Sequence, residues 1–445
     1  MRKTISVIGS GYVGVTTAAI ASNAGYTVHL IDINPDRIKV LKSGKSFFYE
    51  EGIDALIKHG VENKTLLPST EYEGIRESQL VISCVGTPDN PDGSSNLEYV
   101  FAAAKTACDY LQPGSVYVQK STVPVGTGSQ VKKILPKTTP YVSNPEFLRE
   151  GTAVSDTLFF DRIVTGGDDS SALELVLDLY RAFEENRDEI ANRANIERSG
   201  DDGLYIKTNL ESAELIKVTA NAFLALKISF ANSIAKLADK SGADIVDVMD
   251  AVGADRRIGR AFLNAGRGYG GGCFPKDVSG LITSASEHGV DMPIMTAATD
   301  VNTSMPGYIA NKVQEALDGS LKGKTVAVLG LAFKAGTSDA RRSPGVALAN
   351  LLDKLEVNVQ AYDPEANEEA EPDLRQGINI VSELNEAIQN TDAIIFAVDW
   401  NQFKDFDFTK LSSLKNKPVV VDAMNMFTPS DISDNGLLYL GVGRK

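Results

Sequence analysis

Cysteine is scarce in this chain, with 3 in 445 residues, in no paired spacing of the kind that holds zinc and too few for a disulfide framework. That excludes a disulfide-built secreted scaffold and a zinc module; no metal is expected, and the compartment is expected to be reducing and cytoplasmic. No apolar run reaches the ~18 residues of a membrane helix. Met1-Arg-Lys leads straight into a strand-like stretch, so neither anchor nor signal peptide is expected. Positive charge is also short. Lys plus Arg number 44 against 59 Asp plus Glu, a net charge of −15, which argues against nucleic acid and anionic membranes as partners. Any anionic ligand must then be met by locally gathered basic residues.

What is present is an ordinary globular composition, 43% hydrophobic and 23% charged, in a chain too long for one core and expected to divide into two or three domains. The stretch that stands out is Gly268-Tyr-Gly-Gly-Gly-Cys-Phe-Pro-Lys-Asp277. Four of the six residues from Gly268 to Cys273 are glycine, so the backbone is free to take positive φ and a ligand could lie against the main chain. Cys273 lies in no apolar periodic run and reads as an exposed nucleophile, with Lys276 near enough to favour its thiolate and Asp277 able to orient or deprotonate a water. Cys84 and Cys108 sit in strand-like and helix-like apolar patterns and are expected in the core.

At the N-terminus, Thr4–Ile8 reads as a strand, Gly9-Ser-Gly11-Tyr12-Val13-Gly14 as a turn into an alanine-rich helix ending near Asn23, and Thr27–Ile31 as a second strand closed by Asp32, 18 residues after Gly14. Strand, GxGxxG, helix and acid form the dinucleotide fingerprint. Gly9 makes the tight turn, Gly11 admits the pyrophosphate, Gly14 packs helix on strand, and Asp32 meets the ribose hydroxyls. An acid there would repel a 2′-phosphate, so NAD is expected over NADP, with Asn34 and Arg37 as neighbours that could soften the preference. Further parallel strands are expected at Leu80–Val85, Val116–Gln119 and Pro140–Val142, with the loops Gly86-Thr87-Pro88, Ser121-Thr122-Val-Pro124 and Asn144–Gly151 lining the crevice at their ends. Glu146 and Glu150 there could equally be helix N-terminal charges. The segment from Ser170 to Ile206 reads as helix, then loop at 199–203.

From Asn209 a long helical pattern is apolar on most faces, which marks a helix buried between domains or subunits. Lys217 and Asn221 share one of its faces, and a lysine there needs a partner or a role unless it snorkels at the core edge. A further long helix is expected at Pro293–Leu317. A second α/β unit opens with the strand Lys324–Leu329, a glycine turn, a helix started by Pro344 whose dipole would favour a phosphate, and a strand Val357–Tyr362 ending at Asp363; Ala393–Val398 and Pro418–Val421 add strands.

Taken in order, Gly9–Gly14, Ser121–Pro124, Asn144–Glu150, Lys217 with Asn221, Gly270–Asp277 and Gly330-Leu-Ala-Phe-Lys334 make the chain resemble the nucleotide-sugar 6-dehydrogenases of the UDP-glucose/GDP-mannose dehydrogenase family over nearly its whole length. Gly272 stands where that family commonly has serine, and the loop at 184–202 is longer than the family leads one to expect. The resemblance implies an α/β protein: two Rossmann-like doubly wound domains joined by a central helical region with a long helix. Its parts would be an NAD-binding domain at 1–203, a helical dimerisation domain carrying the cysteine loop at 204–305, and a UDP-sugar-binding domain at 306–445. It implies NAD-dependent oxidation of a nucleotide sugar, in the first place UDP-glucose to UDP-glucuronate for polysaccharide precursors, through a cysteine thiohemiacetal and thioester.

In that scheme Cys273 is the nucleophile, Lys217 and Asn221 stabilise the oxyanion, Asp277 positions water, and Glu146 with Thr122 serves thioester hydrolysis. NAD would be met by Gly9, Gly11, Tyr12, Val13, Gly14, Asp32, Arg37, Thr87, Thr122, Glu150, Lys276 and Arg341. The sugar nucleotide would meet Glu146, Phe147, Leu148, Arg149, Lys217, Asn221, Phe262, Leu263, Asn264, Ala265, Gly266, Gly270 and Lys334, with Arg257 reaching it from a neighbouring subunit, so a homodimer or higher oligomer is implied. UDP-N-acetylmannosamine, UDP-N-acetylglucosamine and GDP-mannose are alternative substrates. A two-electron hydroxy-acid dehydrogenase and a non-catalytic NAD-responsive protein are rival classes, and neither has a use for Cys273.

Overall fold

The computed structural model describes residues 3–198, 203–414 and 416–445. The chain divides into two units, Met1–Ala220 and Asn221–Lys445. The first is built on β1 (Thr4–Ile8), β2 (Thr27–Ile31), β3 (Leu66–Ser69), β4 (Leu80–Ser83), β5 (Val116–Gln119), β6 (Tyr141–Ser143), β7 (Arg162–Gly166) and β8 (Leu204–Thr208). They lie in the order β3-β2-β1-β4-β5-β6-β7-β8. The first six are parallel, and β7 enters antiparallel to β6 with β8 parallel beside it.

The second unit repeats the plan with β9 (Thr325–Leu329), β10 (Asn358–Tyr362), β11 (Asn379–Ile380), β12 (Ala393–Phe396), β13 (Val419–Asp422) and β14 (Tyr439–Gly441). Their order is β11-β10-β9-β12-β13-β14, all parallel. Every residue of β4, β12 and β13 is buried, as parallel strands covered by helices on both faces must be, which is why they read as unbroken apolar runs. In both sheets the chain order reverses beside the first strand, and that switch point is where ligands bind in doubly wound sheets.

The helix Tyr12–Asn23 is buried without break from Gly14 to Ser22, which only its small alanine-rich residues permit. The central helix, Leu210–Ser241, runs 32 residues and passes from the first unit into the second. By length and composition it alone among the described helices could cross a membrane, which the sequence reading had not expected. Three polar residues, Glu214, Lys217 and Asn221, are nevertheless buried on it.

Several expectations need correction. The stretch after β6 adds two strands, β7 and β8, to the first sheet. The helix Ser170–Ala194 takes in most of what was expected as a long loop from Glu184, ending where Asn195 turns left-handed at φ +56°. The rest of that expected loop, 199–202, lies outside the described residues. Cys108 is half-buried rather than core; it ends a helix and its thiol donates to the Ala104 carbonyl at 3.2 Å. The expected cysteine loop is a turn that becomes the helix Phe274–Glu287 immediately after Cys273.

Candidate active site

In the first unit the turn after β1 behaves as a dinucleotide cradle. Gly9 takes φ +98°, and a Cβ there would meet the Cys84 carbonyl oxygen at 2.8 Å; a Cβ on Gly14 would stand 1.9 Å from the Gly9 carbonyl oxygen. Both glycines are therefore fixed by backbone packing. Gly11 differs, because a Cβ there would have nothing within 4 Å. It is the N-cap of the helix Tyr12–Asn23, whose end carries no side-chain cap. An uncapped helix N-terminus with open space before it fits a pyrophosphate, as NAD requires. Asp32 ends β2, buried, accepting from Ser10 N–H and Oγ–H at 2.6 Å and from Asn34 N–H at 2.9 Å. Asn34 caps the next helix through its side chain, and Arg37 leans toward Asp32 at 3.9 Å with its guanidinium over the Phe47 ring. Tyr12 donates to Glu50 and accepts from Gly151 N–H, so the first helical residue is tied to the end of the 144–151 segment. Burial pushes the Glu50 carboxyl up, against its hydrogen bonds.

At the ends of β4, β5 and β6, Thr87 Oγ1 donates to the Thr122 carbonyl at 3.0 Å and Ser121 Oγ to that of Val85 at 2.7 Å. Glu146 is buried, accepts from Leu148 N–H at 2.5 Å, and forms an ion pair at 3.3 Å with Lys217, whose side chain is only 4% exposed. That pairing answers both open readings: Lys217 does not snorkel, and Glu146 is more than a helix charge. The Phe147 ring takes the Arg162 guanidinium at 3.9 Å and the Lys217 ammonium at 5.4 Å. Arg149 is mostly exposed and grips Asp156 through Nε and Nη2.

In the second unit Cys273 is exposed and forms the N-cap of the helix Phe274–Glu287, where the dipole favours an anion. Asp277, in the first turn, is 3% exposed and accepts from Asn221 Nδ2 at 2.6 Å and from Lys276 Nζ at 2.7 Å. Lys276 is thus engaged by Asp277, in place of the thiolate contact expected of it. The glycines ahead of Cys273 also differ from expectation. A Cβ on Gly270 would stand 2.3 Å from the Arg342 carbonyl oxygen, one on Gly271 2.7 Å from the Phe333 ring, and one on Gly272 2.9 Å from the Arg341 guanidinium. Their smallness serves packing of the turn on the segment after β9, and the space a serine would fill at 272 is taken by Arg341. Arg341 itself forks onto Asp339, and Arg257 onto Asp255 at 88% exposure. Lys334 lies over the Phe333 ring at 5.7 Å.

Leu263, Ala265 and Gly266 are buried, and Leu263, Asn264 and Ala265 line a cavity of about 80 Å³ together with Met249 and Arg260. Phe262 holds φ +65°, a conformation that a bulky residue adopts only under constraint. The helix started by Pro344 departs from its expected role. Ser343 Oγ caps it by accepting from Gly345 N–H at 3.1 Å, and proline has no N–H to offer, so its end is satisfied from within.

Sequence reasoning missed Glu50, Lys120, Glu214 and Arg267. Lys120 is buried and donates to Tyr180 at 2.7 Å, and Tyr180 donates to Asn144 at 2.6 Å, which steadies the 144–151 segment. Arg267 is buried; its Nη2 donates to the Phe333 carbonyl at 2.7 Å, and burial lowers its guanidinium to about 10. Glu214 could have been found, because it precedes Lys217 by three residues on the same apolar helix and raises the same question of a partner.

Comparison with known proteins gives a consistent picture. Residues 3–184 match the NAD binding domain of the UDP-glucose/GDP-mannose dehydrogenase family, 211–304 its central domain and 327–429 its UDP binding domain. The chain is 38% identical to the UDP-glucose 6-dehydrogenase TuaD of Bacillus subtilis (strain 168), over 99% of this chain and 93% of that one. Among solved structures, a UDP-glucose dehydrogenase from the archaeon Pyrobaculum islandicum aligns with a TM-score of 0.88 at 34% identity, covering 100% of this chain and 98% of that one. A UDP-D-ManNAc dehydrogenase from Pyrococcus horikoshii aligns at 0.85 with 26% identity, covering 99% of each.

Proposed function

This chain belongs to the UDP-glucose/GDP-mannose dehydrogenase family and is an NAD-dependent oxidoreductase, and from that premise we propose that it oxidises UDP-glucose to UDP-glucuronate. The reaction removes four electrons from the sugar C6, and NAD supplies the hydride acceptor twice. The choice of sugar is supported by the relatives at 34–38% identity, which are UDP-glucose dehydrogenases, against 26% for the UDP-D-ManNAc enzyme.

Each step then falls to residues already described. The first oxidation needs the C6 hydroxyl proton removed, and the second needs a tetrahedral adduct, which the Cys273 thiolate forms by adding to the C6 aldehyde. Lys217 and Asn221, one turn apart on the central helix, offer an ammonium and an amide to the adduct oxygen. Asn221 also fixes Asp277, and Lys276 keeps that carboxylate ionised and oriented. Glu146, beside Lys217, takes the proton of the water that cleaves the thioester, with Thr122 holding that water. Glu150, Thr87, Arg37 and Arg341 serve NAD. Phe147, Leu148, Arg149, residues 262–266, Gly270 and Lys334 serve the sugar nucleotide, and the cavity beside Leu263 and Arg260 supports that assignment.

The matched segments fall within the three parts 1–203, 204–305 and 306–445, which we take as the cofactor, dimerisation and UDP-sugar domains. A homodimer is supported by Phe223, Phe230 and Leu237, exposed by 58, 48 and 64% at seven-residue steps along the central helix; Arg257 would then reach the partner's substrate. A cytoplasmic setting is supported by three unpaired cysteines.

The observation that carries the reading is an exposed thiol at a helix start whose first turn buries Asp277 against Asn221. Cys273→Ser is expected to fold, bind NAD and UDP-glucose, and lose nearly all turnover, while the wild type yields two NADH per sugar. Unchanged turnover in the variant, or one NADH and a free ketone in the wild type, rejects the thioester route. Turnover only with an N-acetylated sugar nucleotide would move the substrate and leave the chemistry.

A further inference from the structure

The segment from Ser121 to Gly128 carries Thr122 and then starts the helix Thr127–Ile134, and that helix begins without a cap of its own. Its N-cap is Gly126, left-handed at φ +91°, which has no side chain to accept from the first amides. Those amides are buried and must be satisfied. Their acceptor comes from 86 and 88 residues away: the two carboxylate oxygens of Glu214 each take one, Oε2 from Gly126 N–H and Oε1 from Gly128 N–H, both at 2.7 Å. Glu214 is 2% exposed. Closeness is enforced on the other side, where a Cβ on Gly128 would stand 2.7 Å from the Tyr141 ring and 2.8 Å from Leu210.

Glu214, Lys217 and Asn221 follow at steps of three and four, so one face of the central helix presents all three. Lys217 holds Glu146, and Thr87 pins the Thr122 carbonyl from the β4 side. We infer that Glu214 is a positioning residue for NAD binding, fixing the Thr122 segment to the helix that carries Lys217. A neutral acceptor elsewhere would satisfy the two amides; a bidentate carboxylate on this helix also sets the spacing between Thr122 and Lys217. The inference rests on the dehydrogenase reading through Thr122 alone.

Burial raises the Glu214 acid to about 7, against the two backbone hydrogen bonds, with Glu211 adding to the rise. The facing groups are Glu211 and Lys217 on its own helix, Tyr141 on β6, and the amides of Gly126 and Gly128. The form that accepts both amides is the carboxylate. It prevails above about 7 and is lost as pH falls below it, to about a tenth one unit lower.

NADH binding, followed by its fluorescence without any sugar present, tests this. Wild-type affinity should weaken as pH falls from 8 to 6. E214Q keeps the shape but turns an N–H toward one amide, and at pH 8 it should bind NADH about 10-fold more weakly, with an unshifted melting temperature and no acid limb. An E214Q protein with wild-type NADH affinity, or one that loses melting temperature alone, overturns the inference. Should E214Q fail to fold, a flat wild-type profile across the same range overturns it equally. Sugar turnover is a separate reading, so a wild type inactive on UDP-glucose would sink the substrate proposal and leave this test standing.

Discussion

The turn after β1 and the turn after β9 solve one packing problem with different consequences. In each, a left-handed glycine closes the strand and a second glycine lets a helix press on it. A Cβ on Gly14 would stand 1.9 Å from the Gly9 oxygen, and one on Gly345 2.2 Å from the Gly330 oxygen. In each, an aspartate ends the next strand. The first turn crosses from glycine to glycine in five residues and leaves its helix uncapped before open space. The second takes fifteen, places Ser343 and Pro344 at the helix start, and saturates its aspartate: Asp363 accepts from Leu331, Ala332, Glu365 and Ala366 N–H and from Trp400 Nε1. The first is equipped for a ligand, and the second has turned the same parts to holding itself together. Fold repetition therefore does not carry function with it; the satisfaction of the helix end does.

Four substitutions would break or sharpen this contrast, taken from the largest effect down. Gly14→Ala and Gly345→Ala both drive a methyl into backbone and should each cost more than about 3 kcal/mol in denaturant unfolding; mild effects at either would deny the shared interlock. Asp363→Ala leaves buried N–H groups unpaired and should cost about 2–4 kcal/mol with little change in NAD affinity per folded molecule. Asp32→Ala should instead reduce NAD affinity and narrow its preference over NADP in binding titrations. Gly11→Ala is allowed at φ −66° and should melt as the wild type does, yet bind NAD on the order of 100-fold more weakly because the methyl fills the pyrophosphate's place. Ser343→Ala should cost about 1 kcal/mol, the usual worth of a cap, and leave NAD binding unchanged.

Thiol chemistry offers a further check within the first unit. Burial lifts Cys84 to about 12, so alkylation of the native protein at pH 8 should label Cys273 first and leave Cys84 unlabelled until unfolding, as peptide mapping would reveal.

Much of this was legible in the sequence because the residues concerned answer to local rules. β1, β2 and β5 run between the residues expected, since β-branched runs closed by glycine or aspartate have one reading. Cys273 was legible as exposed, and Lys217 as needing a partner. What escaped were features decided by distant neighbours. Arg162–Gly166 and Leu204–Thr208 are strands because they pair with each other, and neither is apolar enough to announce itself alone. The glycines at 270–272 look ligand-facing in one dimension, but their neighbours are Arg342, Phe333 and Arg341. Glu214 has no local motif at all, since its partners lie more than 80 residues earlier.

Phe262 has one consequence beyond the chemistry. Its twist is one that glycine adopts freely, so Phe262→Gly should relax local strain of about 1 kcal/mol and give up the contact of its ring with Phe274. A protein under selection for heat resistance alone would drift toward a smaller residue at this position, and a calorimeter would record the gain while the turnover assay recorded a slower enzyme.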